Sequence, residues 1–341
     1  MSKIRVAHII TRLCKGGAQE NTFHTVRLHN KERYDVDLIC GTNTGDEGTL
    51  EPELEAAGIT IIREPNLVRD ITSPLQEFKA LRGLTRRLKH GNYDIVHTHT
   101  SKAGFLGRLA AHKAKVPIVI HTPHGNIFDG YFSPAKTMLY TALERKAARW
   151  TNRIIELTDG GIEEYLAQGI GSRDLYTTIF SGIDLSPYEN RVADRARIRA
   201  ELGVDAHTFL VGGVGRLEKI KGFAYLVEAA EQLHKSHPKI QFVHAGTGSL
   251  EEKFKEFAAP LGERFKFLGL RHDIPSIMAA LDVLVVPSVN EGMGRVVLEA
   301  GAAGTPCIAA NVGGLPEVVL DGQTGIIVPS RDPKAIAEAI K

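Results

Sequence analysis

Two carboxylates and two cations are spaced in this chain as a site for phosphate and hydroxyls would need them. Glu291 and Glu299 have seven residues between them, and the stretch that joins them begins Gly292-Met293-Gly294-Arg295. It reads as a glycine-punctuated loop running into a helix near Arg295. Glycines let backbone amides approach a ligand without Cβ interference, and the unpaired amides of a first helical turn carry roughly half a positive charge. Glu299 falls about one turn into the helix, so both carboxylates can border one ligand stretched across its start. Such a ligand has phosphate at one end and hydroxyls at the other, as a nucleotide sugar does. Arg216 and Lys221, five residues apart, are fixed cations at another strand end. They would neutralise a pyrophosphate and the charge that grows on it as it leaves.

Other positions complete the list of candidates. Gly246 and Gly248, in His244-Ala-Gly-Thr-Gly-Ser, form a strand-end turn that suits a base or ribose, and equally a plain turn. Gly16-Gly17 leave the backbone open near the start of the chain. His97, His99, His121 and His124 stand at two strand ends and raise the question of a metal. No carboxylate with ligand spacing accompanies them, and alternate positions along a strand are taken to face opposite ways, so no metal site is expected. His124 is expected to contact substrate, and His97 or His99 to be buried and hydrogen-bonded. Asp35-Val-Asp37 resembles a metal-holding carboxylate pair but reads as preceding its strand, away from the ligand side. The ordinary reading stays open for each: a strand, a loop and a helix occur in every α/β protein, and Arg216 with Lys221 could be a solvated basic loop.

The elements that must hold these residues follow from hydrophobic periodicity. Apolar, β-branched runs at Ile4–Ile10, Val36–Cys40, Ile59–Arg63, Ile95–His99, Ile118–His121, Arg153–Leu157 and Leu175–Phe180 alternate with helical stretches. The alternation restarts at Phe209–Val214 and continues through Ile240–Ala245, Phe265–Leu268, Val283–Val286, Pro306–Ala310 and Gly325–Val328. Between the two series, Ser181-Gly-Ile-Asp184 and the Pro- and Ser-containing residues after it read as a link. The fold expected is therefore α/β, with two tandem Rossmann-like doubly wound domains, residues 1–184 and 185–341, facing across a cleft.

Composition agrees with two soluble globular domains. The 341 residues are 43% hydrophobic and 24% charged, too long for one ordinary core. A net charge of +2 gives no argument for nucleic acid. Cys14, Cys40 and Cys307 are too few and too scattered for a disulfide framework, which favours a reducing, cytoplasmic setting. No run approaches the length of a membrane span.

Taken together, Gly16-Gly17, His121-Thr-Pro-His124-Gly, Ser181-Gly-Ile-Asp184, Gly215-Arg216-Leu217 with Lys221-Gly222, Ala245-Gly-Thr-Gly248 and Glu291-Gly-Met-Gly-Arg-Val-Val-Leu-Glu299 resemble the family 4 retaining glycosyltransferases of the two-Rossmann (GT-B) type. The resemblance covers nearly the whole chain, in the family's order. It implies metal-independent transfer of a sugar from a nucleotide-sugar donor to an acceptor hydroxyl, with retention. A UDP-sugar is the expected co-substrate, with no cofactor. Arg216 and Lys221 would bind the pyrophosphate, Glu291 a donor-sugar hydroxyl, Glu299 the ribose, and His124 would adjoin the transferred sugar. Ser181 stands where Asn is more usual. The chain also stops in a helix where the family generally has a further helical segment, so it is read as truncated or short.

A nicotinamide oxidoreductase should show Gly-x-Gly-x-x-Gly after its first strand, and this chain has only Gly16-Gly17 there. A sugar-nucleotide epimerase or phosphorylase shares the architecture and stays as the alternative. The acceptor, a sugar that is lipid-linked in one reading, is expected on the first domain, placing the enzyme in surface glycan or glycolipid assembly. Leu75, Phe78, Leu81, Leu84 and Leu88 recur at helical spacing beside Arg82, Arg86, Arg87 and Lys89, with Lys102, Arg108, Lys113 and Lys115 on the next helix. That arrangement suggests peripheral contact with anionic lipid, against the alternative of an ordinary solvated face.

Overall fold

The computed structural model describes residues 2–42, 48–69, 73–130, 132–189 and 192–341. They form two compact units, the first ending at Ser181 and the second beginning at Gly182. Asn190, in the link, lies outside the described residues.

The first unit runs β1 (Ile4–Ile10), α1 (Gly17–Arg27), β2 (Tyr34–Cys40), α2 (Glu51–Ala56), β3 (Thr60–Arg63), α3 (Pro74–Gly91) and β4 (Ile95–His99). It continues with α4 (Ser101–Ala114), β5 (Ile118–Thr122), α5 (Pro134–Ala148), β6 (Arg153–Glu156), α6 (Asp159–Ala167) and β7 (Tyr176–Thr178). All strand pairs are parallel, in the order β3-β2-β1-β4-β5-β6-β7. A parallel sheet needs crossover helices, and these cover both faces. On β1, Ala7 and Ile9 join one buried cluster and Ile10 another, which is the period-2 alternation of a sheet buried on both sides. The helix ends are marked locally. Ser73 accepts from the Gln76 amide at the start of α3, Pro74 follows it, and Asn92 ends the helix at φ 47°.

The second unit runs α7 (Val192–Glu201), β8 (Phe209–Val214), α8 (Phe223–His234), β9 (Ile240–Ala245), α9 (Glu251–Ala258) and β10 (Phe265–Phe267). After these come α10 (Ile274–Ala280), β11 (Val283–Val286), α11 (Arg295–Ala302), β12 (Cys307–Ala310), α12 (Leu315–Val318), β13 (Gly325–Val328) and α13 (Pro333–Ile340). Its parallel sheet has the order β10-β9-β8-β11-β12-β13. Val283 and Val285 enter one core cluster, Leu284 and Val286 the other.

Three local readings change. Leu175 belongs to a 3-10 turn and β7 is only Tyr176–Thr178; Ile179 and Phe180 lie beyond the ladder and are exposed. Asp35 and Asp37 lie inside β2, where Asp37 accepts from the Tyr93 hydroxyl at 2.6 Å and pairs with Arg5. They are still at the strand's N-terminal half. The turn α12 had no periodic signal, being four residues long.

Candidate functional site

In the second unit the carboxylate loop and the cation loop meet. Lys221, in the 3-10 turn after β8, places Nζ 2.6 Å from Glu291 Oε2, and Ser288 Oγ donates to the same oxygen at 3.1 Å. Both partners keep some exposure, with side chains 27% and 15% accessible. Since an ammonium has three donors, Lys221 can hold Glu291 and still reach a phosphate oxygen. Gly294 caps α11 at φ 76°, ψ 63°, a left-handed conformation glycine adopts without strain. Arg295, the first residue of α11, lies 3.6 Å from Oε1 of Glu299, one turn on. Glu291, Lys221, Arg295 and Glu299 thus frame the start of α11, a combination of charged side chains and a helix N-terminus suited to a diphosphate with hydroxyls beside it.

The backbone explains several glycines. A Cβ on Gly222 would lie 2.0 Å from the Pro287 carbonyl oxygen, and one on Gly313 would lie 1.8 Å from that of Glu291. The Gly314 amide also donates to the carbonyls of Glu291 and Gly292. The Glu291 loop is therefore clasped between the turn after β8 and the turn before α12. Gly246 and Gly248 are likewise packed against the backbone of Gly215 and Leu217, so close packing of two strand-end loops suffices to require glycine there. The Met293 side chain is 3% exposed and belongs to the core, which leaves only its backbone for a ligand. His244 is fully buried against Phe223, its ring centroid 4.3 Å away. The Gly313-Gly314 turn was missed in the sequence because only tertiary contact joins it to Glu291, and Ser288, three residues before Glu291, carries no signal of its own.

The first unit gathers the histidines. Gly16 precedes α1 at φ 168°, extended backbone open to any residue; a Cβ there would meet only the Gln19 side chain at 3.0 Å. Gly17 is the first residue of the helix. Asn21 of α1 donates to Ser181 Oγ at 2.5 Å, which gives the unusual serine a local role. His97 and His99 are two residues apart on β4 and therefore share a face, contrary to the expectation that strand alternation would separate them. His8 joins them because β1 pairs with β4 in the register His8 with His97. Ligand atoms of His8, His97 and His99 lie within 4.8 Å of one another, a spacing that a metal ion could also use. The nitrogens are instead engaged: His97 Nε2 with Thr122 Oγ1 at 2.8 Å, and His8 Nδ1 with His99 Nε2 at 2.9 Å. His99 Nδ1 contacts His124 Nε2 at 2.9 Å. His121 contacts Thr98 through its hydroxyl and carbonyl. Burial holds His97 and His124 down to about 3, and His8, His99 and His121 well below the usual value, so these rings are neutral.

A second buried polar group sits across the sheet. Arg108, fully buried on α4, donates to both oxygens of Glu144 on α5, at 2.8 and 2.6 Å. Glu156, at the end of β6, is buried with Oε1 unpartnered, and burial pushes its pKa up to about 8.

The basic stretch of α3 and α4 is less available than its sequence suggests. Arg108 is internal, Arg87 pairs with Glu64 at 3.0 Å, and Lys102 pairs with Glu77 at 2.7 Å. Leu84 and Leu88 are core residues, whereas Leu75 and Phe78 are 62% and 60% exposed beside the exposed Arg82, Arg86 and Lys89. Lys113 and Lys115 are exposed at the end of α4. Among the described residues no helix is long and apolar enough to cross a membrane.

Residues 16–179 match the family described as a glycosyl transferase 4-like domain, and residues 208–341 that described as glycosyl transferases group 1. The chain is 33% identical over 344 aligned positions to the UDP-Gal:alpha-D-GlcNAc-diphosphoundecaprenol alpha-1,3-galactosyltransferase of Escherichia coli, covering 99% of this chain and 87% of that one. It is 31% identical to the D-inositol 3-phosphate glycosyltransferase of Corynebacterium glutamicum, over 75% of this chain and 65% of that protein's length. Among solved structures, Anabaena Alr3699/HepE in complex with UDP-glucose superimposes with a TM-score of 0.82 at 25% identity, over 99% of this chain and 88% of the other.

Proposed function

Because the chain belongs to the family 4 glycosyltransferases, with the two parallel-sheet α/β units of the GT-B type, we propose that it transfers a sugar from a UDP-sugar to a hydroxyl of a lipid-linked saccharide acceptor. In this reading the anomeric configuration is retained and no metal is required. The observation that carries it is the cluster at the start of α11, where Lys221, Ser288 and Glu291 are bonded together and Arg295 opens the helix with Glu299 one turn on. UDP is supported as the carrier by the Escherichia coli relative, whose name specifies UDP-Gal, and by the HepE complex with UDP-glucose.

The chemistry follows from charge. As the bond from the anomeric carbon to the diphosphate breaks, negative charge grows on the leaving oxygen. Arg216, Lys221 and the first turn of α11 would supply donors that stabilise that charge more than the ground state, which lowers the barrier. Glu291, oriented by Lys221 and Ser288, accepts from a sugar hydroxyl, and Glu299 from the ribose. Gly292 and Gly294 keep the backbone open to the phosphates beside Met293 and Arg295, while Gly246 and Gly248 line the base side and Gly16 and Gly17 the acceptor side. His124 adjoins the transferred sugar. A lipid-linked acceptor is supported by the diphosphoundecaprenol in the relative's name. The exposed Leu75, Phe78, Arg82, Arg86 and Lys89 suit a peripheral approach to the cytoplasmic membrane face.

Thermal shift against UDP-, GDP- and ADP-sugars, followed by transfer from the best donor to a polyprenyl-diphosphate saccharide, tests the reading. Stabilisation by UDP-sugars alone, with an acceptor-dependent product of unchanged anomeric configuration, is expected. Inversion, or no stabilisation by any nucleotide sugar, would refute it. Flotation with anionic liposomes tests the approach, and binding unaffected by Arg82→Glu with Arg86→Glu would remove that surface from it.

A further inference from the structure

Four imidazoles of the first unit are joined end to end. His124 Nε2 meets His99 Nδ1 at 2.9 Å, His99 Nε2 meets His8 Nδ1 at 2.9 Å, and His8 Nε2 meets His29 Nε2 at 3.1 Å. The row begins just beyond β5, crosses β4 and β1, and ends at His29, half-buried after α1. Burial lowers all four pKa values, so each ring is neutral and carries one N–H donor and one lone-pair acceptor. His8 and His99 use both nitrogens inside the row. Each must therefore accept on one side and donate on the other, and the direction passes unbroken along the row. His124 Nδ1 is its buried end and has no partner.

We propose that this row is a positioning relay, which ties the tautomer of His124 to those of His99, His8 and His29 and so decides whether His124 Nδ1 meets a substrate hydroxyl as donor or as acceptor. The proposal deepens, and rests on, the reading that His124 adjoins the transferred sugar. Only two arrangements satisfy every link. In one, His29 donates from Nε2 to His8, and His8, His99 and His124 all carry their protons on Nδ1. In the other, those three carry them on Nε2, His29 accepts at Nε2, and His124 Nδ1 becomes an acceptor. A hydroxyl that accepts from His124 Nδ1 selects the first arrangement, and one that donates to it selects the second. His29, His8 and His99 then act on substrate only through His124, and a ligand at one end of the row is felt at the other.

The full chain with ring-¹⁵N histidine tests this by NMR, because the two nitrogens of a neutral imidazole differ in shift according to which holds the proton. The expected result is one shared tautomer for His8, His99 and His124 and the opposite one for His29, with UDP-glucose as the probe altering the His29 signals. Discordant tautomers would overturn the proposal, as would an equimolar metal ion found by elemental analysis, since it would take nitrogens that His8 and His99 spend on each other. In kinetics, His29→Phe should lower kcat about fivefold, the effect of one lost neutral hydrogen bond, with KM and Tm unchanged. His29→Gln, which can still meet His8 Nε2, should restore it. A wild-type kcat in His29→Phe, or a fall matched by a loss of Tm, would also overturn the relay. His124→Ala with undiminished turnover would instead refute the placement of His124 at the sugar, an outcome distinct from the tautomer pattern.

Discussion

Glu156→Gln should protect the first unit against alkaline conditions. The Glu156 carboxyl is buried and its Oε1 has no hydrogen-bond partner. Desolvation raises its pKa from 4.5 to about 8; Glu164 and Glu144 add to the rise, and a bond from the Leu157 backbone opposes it. The folded chain thus keeps a proton that the unfolded chain releases near 4.5. A raised carboxyl pKa contributes stability that is complete below the unfolded value and is lost as pH climbs through the folded one. The difference, 8 − 4.5 = 3.5 units, corresponds to about 5 kcal/mol at ~1.36 kcal/mol per unit. Between pH 6 and the folded pKa the span is 8 − 6 = 2 units, or about 3 kcal/mol. Glutamine has the same shape and no proton to lose. Urea unfolding at about pH 6 and about pH 9 should show the wild type losing roughly 3 kcal/mol more than the variant across that interval. The thiols of Cys40 and Cys307, pushed up to about 11 and about 12, titrate in both proteins and cancel in the comparison. Parallel losses in the two proteins would show that Glu156 is ionised in the fold and that the reasoning from burial is wrong.

Other outcomes follow from the site. Lys221→Ala and Arg216→Ala should each lower turnover by roughly 10²-fold while leaving Tm nearly unchanged, because fixed cations act mainly on the leaving charge; a fall in Tm that matches the fall in rate would make them structural. For Glu299→Gln, titration calorimetry should show UDP binding weakened by about 1.5–3 kcal/mol, and unchanged affinity would remove Glu299 from the ribose. Turnover is expected to survive EDTA, since Arg216, Lys221 and the α11 amides supply the positive charge a metal would otherwise bring. Activity abolished by EDTA and restored by Mg²⁺ would reverse that assignment.

Periodicity made the strands legible: β1, β4, β8, β9 and β11 fall where the apolar runs place them, because a strand buried on both faces reads as a near-continuous apolar run, and the edge strand β13 does so too although its Ile326 is exposed. The turn into α11 was legible for a more local reason, as Gly294 and Arg295 mark it in the sequence. What escaped depends on which strands become neighbours. His8 lies far from His97 and His99 in sequence and meets them only because β1 and β4 adjoin. Lys221 and Glu291, 70 positions apart, read in the sequence as two contacts to one substrate and in the structure are bonded to each other. Arg108 looked like a surface cation since α4 is rich in basic residues, yet small residues around it let the side chain sink to Glu144.

The clasp around the Glu291 loop sets a rule for re-engineering that loop. Its backbone is held by Gly222 against Pro287 on one side and by Gly313 and Gly314 against Glu291 and Gly292 on the other. A loop of different length or path, grafted from a relative at 288–294 alone, would collide with one of these neighbours. Exchanges of specificity in this scaffold should therefore travel as three segments moved together, or else be confined to side chains on an unchanged backbone.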